Sequence, residues 1–155
     1  MTSIYPTLIE DIAGMAVSYT DKNGATITPT VLSINDRMDS VQTAHLPIRL
    51  IMAWQQQTGT IGAGGIIDGA WNITDMLLLE TSARDMGAHV LRPVMARYQV
   101  AWIEKLSRLW RINHGVNAGT ITASYTIWAG EYEYPASSGV WFYGVKCSVI
   151  LQEQF

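Results

Sequence analysis

Residues 92–112, RPVMARYQVAWIEKLSRLWRI, decide the fold. Met95, Tyr98, Trp102, Leu106 and Leu109 recur at helical spacing, which places them on one face of a helix. Arg97, Glu104, Arg108 and Arg111 gather on the opposite face. Pro93 suits a first helical turn, where its missing N–H costs nothing. Asn113-His114-Gly115 marks the stop, with Gly115 suited to a left-handed cap. The apolar face is wider than one sheet requires. Ala96, Val100, Ile103 and Trp110 extend it round one side, whereas a helix lying on a sheet needs a stripe of about 100°. The surplus predicts that this helix also touches something beyond its own sheet.

The segments on either side supply that sheet. Thr120–Trp128 alternates, with Ile121, Ala123, Tyr125 and Ile127 on one face and Thr120, Thr122, Ser124 and Thr126 on the other. Val140–Leu151 sets Trp141, Tyr143, Val145, Cys147, Val149 and Leu151 on one face. Pro135–Gly139 between them reads as a hairpin tip, so the two strands form an antiparallel pair. Before the helix, Trp71–Glu80 alternates in the same way, and Thr81–Val90 bridges to the helix. Asp75 interrupts the apolar side of that strand, which places it near an end or beside a partner. Ile48–Trp54 is a dense apolar run that suits a central strand.

Toward the N-terminus, Tyr5–Met15 is a short predicted helix, with Pro6 in its first turn and Leu8, Ile9 and Ile12 on one side. Ala16–Thr20 and Ala25–Thr28 flank the turn Asp21-Lys22-Asn23-Gly24 and read as a hairpin. Pro29–Ala44 reads as a surface loop. Gln55–Gly69, QQQTGTIGAGGIIDG, carries no charge before Asp68 and is expected to be a flexible glycine-rich loop or arm. The expected fold is α+β: a mostly antiparallel sheet covered by one long helix plus a short N-terminal helix, in a single domain over residues 1–155.

Only 15% of the residues are charged, against about 25% in an ordinary globular chain. Six Trp and seven Tyr make a heavy aromatic load. Such a surface leans on neutral polar side chains or is partly covered by partners, and a large core with neutral loops accounts for the same composition. The net charge of −3 with no basic block removes the electrostatic footprint of a nucleic-acid groove. No apolar stretch approaches the 18 or so residues that span a membrane. The N-terminus lacks the basic start and apolar run of a signal peptide, so a soluble protein made in the cytoplasm is expected. The single cysteine, Cys147, excludes an internal disulfide and reads as a buried small hydrophobe.

No motif carries chemistry. In Gly59–Ile67, Ile67 stands where a dinucleotide fingerprint starting at Gly62 requires Gly or Ala. A P-loop needs lysine, and none occurs between Lys22 and Lys105. His45, His89 and His114 fall in or beside loops and share no ligand spacing. Asp36, Asp39, Asp68 and Asp75 lack the order of a calcium loop, and no Gly-x-Ser-x-Gly elbow occurs. The expectation is therefore no catalytic residues, no cofactor and no metal. The candidates for contact are Val100, Ile103, Trp110, Trp128 and the glycines Gly62, Gly64 and Gly65. Trp110 and Trp128 are chosen because each sits off its own core face, and Trp dominates interface hot spots.

The order of elements, with WNITDMLLLE running toward PVMARYQVAWIEKLSRL and a closing YPASSGVWFYGVKCSVILQE hairpin, resembles tail terminator and related neck proteins of long-tailed bacteriophages. The resemblance runs from about His45 onward, as a pattern of elements. It implies a small α+β subunit forming a ring, commonly a hexamer, that caps the tail tube and joins it to the head. The implied partners are further copies of the chain, the tail tube protein and the head–tail connector proteins, with no membrane and no sequence-specific nucleic acid. The implied place is the virion tail or neck. The long 55–69 loop and the sparse charge depart from the family. A second expectation, from the aromatic load over a curved sheet, is a small-molecule-binding α+β domain.

Overall fold

The computed structural model describes residues 3–32, 46–52, 58–82, 88–113, 121–133 and 140–154. The elements are α1 (Tyr5–Gly14), β1 (Tyr19–Thr20), β2 (Thr26–Ile27), β3 (Thr30–Leu32), β4 (Ile48–Met52), β5 (Thr58–Ile61), β6 (Ile67–Thr81), α2 (Ala88–Asn113), β7 (Ile121–Glu133) and β8 (Trp141–Gln154). The fold is α+β, with one long and one short helix on a largely antiparallel sheet. The strand order is β3-β4-β6-β8-β7, with β5 pairing onto the first residues of β6. Among the described residues, only β3–β4 is parallel. A separate two-stranded ribbon, β1–β2, turns where the Asp21 carboxylate accepts the N–H groups of Asn23 and Ala25, both at 2.8 Å. Gly24 there takes a φ of 83° that a side chain would disfavour.

The helix layer packs on the odd-numbered face of the central strands. Leu91, Val94, Met95, Tyr98, Trp102 and Leu106 of α2 are buried against Ile73 and Leu77 of β6 and Val145, Cys147, Val149 and Leu151 of β8. Each such side chain contributes roughly 1.5–3 kcal/mol when fully buried, so this stripe holds α2 to the sheet. On the other face a smaller cluster forms from Ile48, Leu50, Met76, Leu78, Tyr132 and Phe142. Between Leu78 and Glu80 the β6–β8 register slips by a bulge. Gly144 lies opposite it, so close that a Cβ would overlap the carbonyl oxygen of Leu77.

Three expectations need correction. The long helix begins at Ala88, so Pro93 lies inside it and not in its first turn. Pro93 then deletes one ladder bond near the start, a loss that the buried stripe outweighs. Thr30–Leu32, expected as loop, is a strand, because β4 offers it an edge from across the Pro29–Ala44 segment. Thr58–Ile61 and Ile67–Gly69, expected as part of a flexible loop, belong to a hairpin. Its turn contains Gly64 and Gly65 at φ 81° and 80°. Asp75 lies mid-strand, paired with Arg49, the second of its two expected settings. Trp54, His45, His114, Gly115 and the 135–139 tip lie outside the described residues.

Candidate functional site

Two kinds of feature are candidates: polar groups inside the core and apolar groups outside it. The inner set centres on Arg49 and Asp75, each 1% exposed. They arrive from adjacent strands, on the face that α1 and α2 cover. Arg49 Nε donates to Asp75 Oδ1 at 3.1 Å, and its Nη2 donates to Oδ2 of the same carboxylate. Trp102 Nε1 of α2 donates to Asp75 Oδ2 at 2.8 Å. The remaining guanidinium donors reach the carbonyls of Met15 and Ile12 (3.2 Å for the latter), at the C-terminal end of α1. Burial pulls the Arg49 pKa down, but Asp75 outweighs it and the net shift is upward, so Arg49 is a fixed cation.

Glu153 of β8 does the reverse job at the other end of α1. Its carboxylate accepts the Ile4 N–H at 2.7 Å and the Ser3 hydroxyl at 2.5 Å. No residue of α1 itself provides a side-chain cap, an acid in the first turn or a base in the last. The sheet therefore supplies both: an anion at the positive end of the helix dipole and a cation at the negative end. Glu153 is consumed at the start of α1, and Arg49 at its end and by Asp75, which makes this network structural. Cys147 and Tyr98 lie beside it. Burial pushes the Cys147 thiol and the Tyr98 hydroxyl upward, and Asp75 adds to both shifts. Cys147 is thus a protonated core thiol, as its place in the strand pattern predicts. The Tyr98 hydroxyl is buried and has no hydrogen-bond partner among the described residues.

Among the described residues no group of His, Cys, Asp and Glu converges as a metal site. His89 is exposed in the first turn of α2. No helix among the described residues is long and apolar enough to cross a membrane. Some concavities sit at the margins of the helix–sheet interface, and another, of about 510 Å³, is lined by strand residues alone, including Thr58, Asp68, Thr122 and Gln152. One of about 220 Å³ lies between the β1–β2 turn, Pro47 and α2, under the Lys22–Glu80 ion pair at 2.7 Å.

The outer set is apolar. Val100 of α2 is 57% exposed, beside Ser18, Tyr19 and Thr20. Ile103 and Trp110 are half-buried and pack against their own core. Trp128 of β7 is 57% exposed on the face away from the helices, edge-on to Tyr132 at 5.0 Å and over Gly130. Gly62, Gly64 and Gly65 form the exposed β5–β6 turn. The predicted contact residues thus fall on three separate surfaces. Sequence reading missed the isoleucines of the same turn. Ile61 is 78% exposed, and Ile66 and Ile67 are exposed beside it. The signal was present, as apolar residues inside an otherwise small and polar segment. Tyr125, assigned to the helix-side face, lies there at the rim: it touches Trp102 edge-on at 6.1 Å and is still 49% exposed.

No protein-family model and no curated protein matches this chain.

Proposed function

We propose that the protein is a structural virion component of a tailed phage, a ring-forming tail terminator or neck subunit that caps the tail tube and joins it to the head. The observation that carries this reading is the hairpin β5–β6. It presents three exposed isoleucines around a glycine turn and no charge from Thr58 to Ile67. A monomer in water gains nothing from such a tip, whereas a subunit that inserts it against a neighbour does. Val100, Tyr125 and Trp128 add exposed apolar area on other sides, as a subunit with several neighbours requires. The element order that carried the resemblance, from the short helix through the long helix to the closing strand pair, supports the same reading.

The mechanism is geometric. Heterologous contacts between identical subunits close into a ring when the rotation per subunit divides the circle, and a closed ring leaves no unsatisfied contact for further growth. Such a ring ends a tube of matching symmetry. Size-exclusion chromatography with light scattering, followed by negative-stain imaging with and without tail tubes, tests this. A closed ring that decorates tube ends is expected. A strictly monomeric protein that leaves tube ends bare refutes it.

A further inference from the structure

Among the described residues the sheet ends at three strands, and two of these edges complement each other. β7, of 13 residues, forms one. Among the described residues nothing pairs with its outer side, nor with the outer side of β5. Soluble proteins protect such edges with lysine, proline, bulges or brevity. From Ile121 to Gly130, ITASYTIWAG, there is no charge and no proline. β5, TGTI, has none either, and all four of its residues are exposed. The third edge, β3, is shorter and half-buried.

Direction and chemistry both match. β5 is antiparallel to β6, β6 to β8, and β8 to β7. If the sheet of one copy continues into the next, β7 therefore meets the neighbour's β5 in the antiparallel sense, the more stable pairing. The pairing registers place Thr58 and Thr60 on the same face of the sheet as Thr122, Ser124 and Thr126. They place Ile61 on the face of Ala123 and Tyr125, toward the helices. A continuous sheet thus aligns hydroxyls with hydroxyls on one side and Ile61 with Ala123 and Tyr125 on the other, pairs that stabilise cross-strand contacts. A one-residue slip would invert both faces.

We infer that the joint between neighbouring subunits is a β-strand addition, in which β7 of one copy pairs antiparallel with β5 of the next. The occupant of the β7 edge is a second copy of this chain, and the joint is heterologous. This rests on the ring-forming reading above and gives that ring its contact.

The test uses strand-blocking prolines. Backbone N–H groups alternate in direction along a strand. Of Ser124→Pro and Tyr125→Pro, therefore, one removes a donor aimed at the open edge and the other breaks the β8 ladder. The same holds for Thr60→Pro and Ile61→Pro in β5. The member of each pair that keeps the wild-type circular dichroism and a cooperative unfolding transition is used. By sedimentation velocity, each blocked variant alone is expected to lose the ring and sediment as a monomer. Mixed in equal amounts, the two are expected to form a heterodimer, since one intact β7 edge and one intact β5 edge remain. Rings that persist in either blocked variant overturn the joint and leave the ring reading standing. A β5-blocked variant that dimerises by itself overturns the heterologous pairing in favour of β7 with β7. A wild-type chain that is monomeric at every concentration, with or without tail tubes, overturns both.

Discussion

Replacing Arg49 with Met keeps the length and apolar stem of the side chain and removes its charge. Asp75 would then stay 1% exposed with only the Trp102 indole N–H among its described donors. The carbonyls of Ile12 and Met15 would lose the donors that close the end of α1. Removing one partner of a buried, hydrogen-bonded ion pair costs about 3–5 kcal/mol, a large fraction of the roughly 5–15 kcal/mol that holds a domain folded. For a chain of this size that is a fall in Tm of roughly 6–20 °C. Asp75→Leu alone strands the guanidinium and is expected to cost a similar amount. The double variant strands neither charge. It leaves the Trp102 N–H and the two carbonyls to be satisfied, at about 1–3 kcal/mol for each group that water cannot reach. The double variant is therefore expected to be more stable than the sum of the two singles, by about 3 kcal/mol, the upper range for coupled neighbours. Urea unfolding followed by circular dichroism gives all four corners of this cycle, provided the slope m is unchanged. Single variants that cost under about 1 kcal/mol, or a strictly additive double, would refute the claim that this pair is a buried structural clamp on α1.

Gly144→Ala is expected to destabilise by about 1–3 kcal/mol through overpacking at the β6 bulge, because its Cβ would overlap the Leu77 carbonyl; the urea midpoint checks it, and a neutral result would mean the bulge yields. Glu153→Gln weakens the charge-assisted bonds to Ile4 and Ser3. Amide exchange in α1 should accelerate before any other element changes, and uniform acceleration would contradict a local anchoring role. With pH, the sign follows from burial. Cys147 and Tyr98 are held protonated above their ordinary values in the folded state, so in alkali the unfolded chain ionises first and binds fewer protons. Stability is then full below about pH 9, near the ordinary thiol range, and falls as pH rises beyond it. Urea midpoints from pH 7 to 11 test this, and a flat profile would refute it. The Cys147 thiol should react with a thiol reagent only as fast as the chain opens; rapid labelling of the folded protein would place it at the surface.

Most of the architecture was legible because it is written locally. The 3.6-residue period of Met95, Tyr98, Trp102 and Leu106 and the alternation of Val145, Cys147, Val149 and Leu151 each name a face, and these residues are buried as read, whereas Trp141, read onto the same strand face, is 48% exposed. The turn at Asp21–Gly24 carries its own hydrogen bonds. β3 was not legible, since a three-residue strand exists only because β4 lies beside it. The glycine-rich hairpin was hidden for a related reason: Gly59 has no strand propensity, but its missing Cβ lets β5 lie close to β6, where a Cβ would come within 2.9 Å of the Asp68 carbonyl. Of the candidate contact residues, Val100 and Trp128 are exposed, while Ile103 and Trp110 fold onto their own core. Helical spacing defines the width of an apolar face, and only the packing decides how much of that width the chain covers by itself.

By itself the sequence determined which faces of α2, β6 and β8 are apolar, where the first hairpin turns, and that the long helix must lie on a sheet. These follow from backbone periodicity and turn chemistry within a few residues. The tertiary structure alone decided that Arg49 and Asp75 meet and that Glu153 and Arg49 hold the two ends of α1. It also decided that β7 and β5 stand, among the described residues, as unpaired edges of one sheet. Those relations join residues far apart in the chain, and no local pattern marks them. A charge inside an apolar strand announces that it needs a partner, but which partner reaches it is settled only when the layers pack.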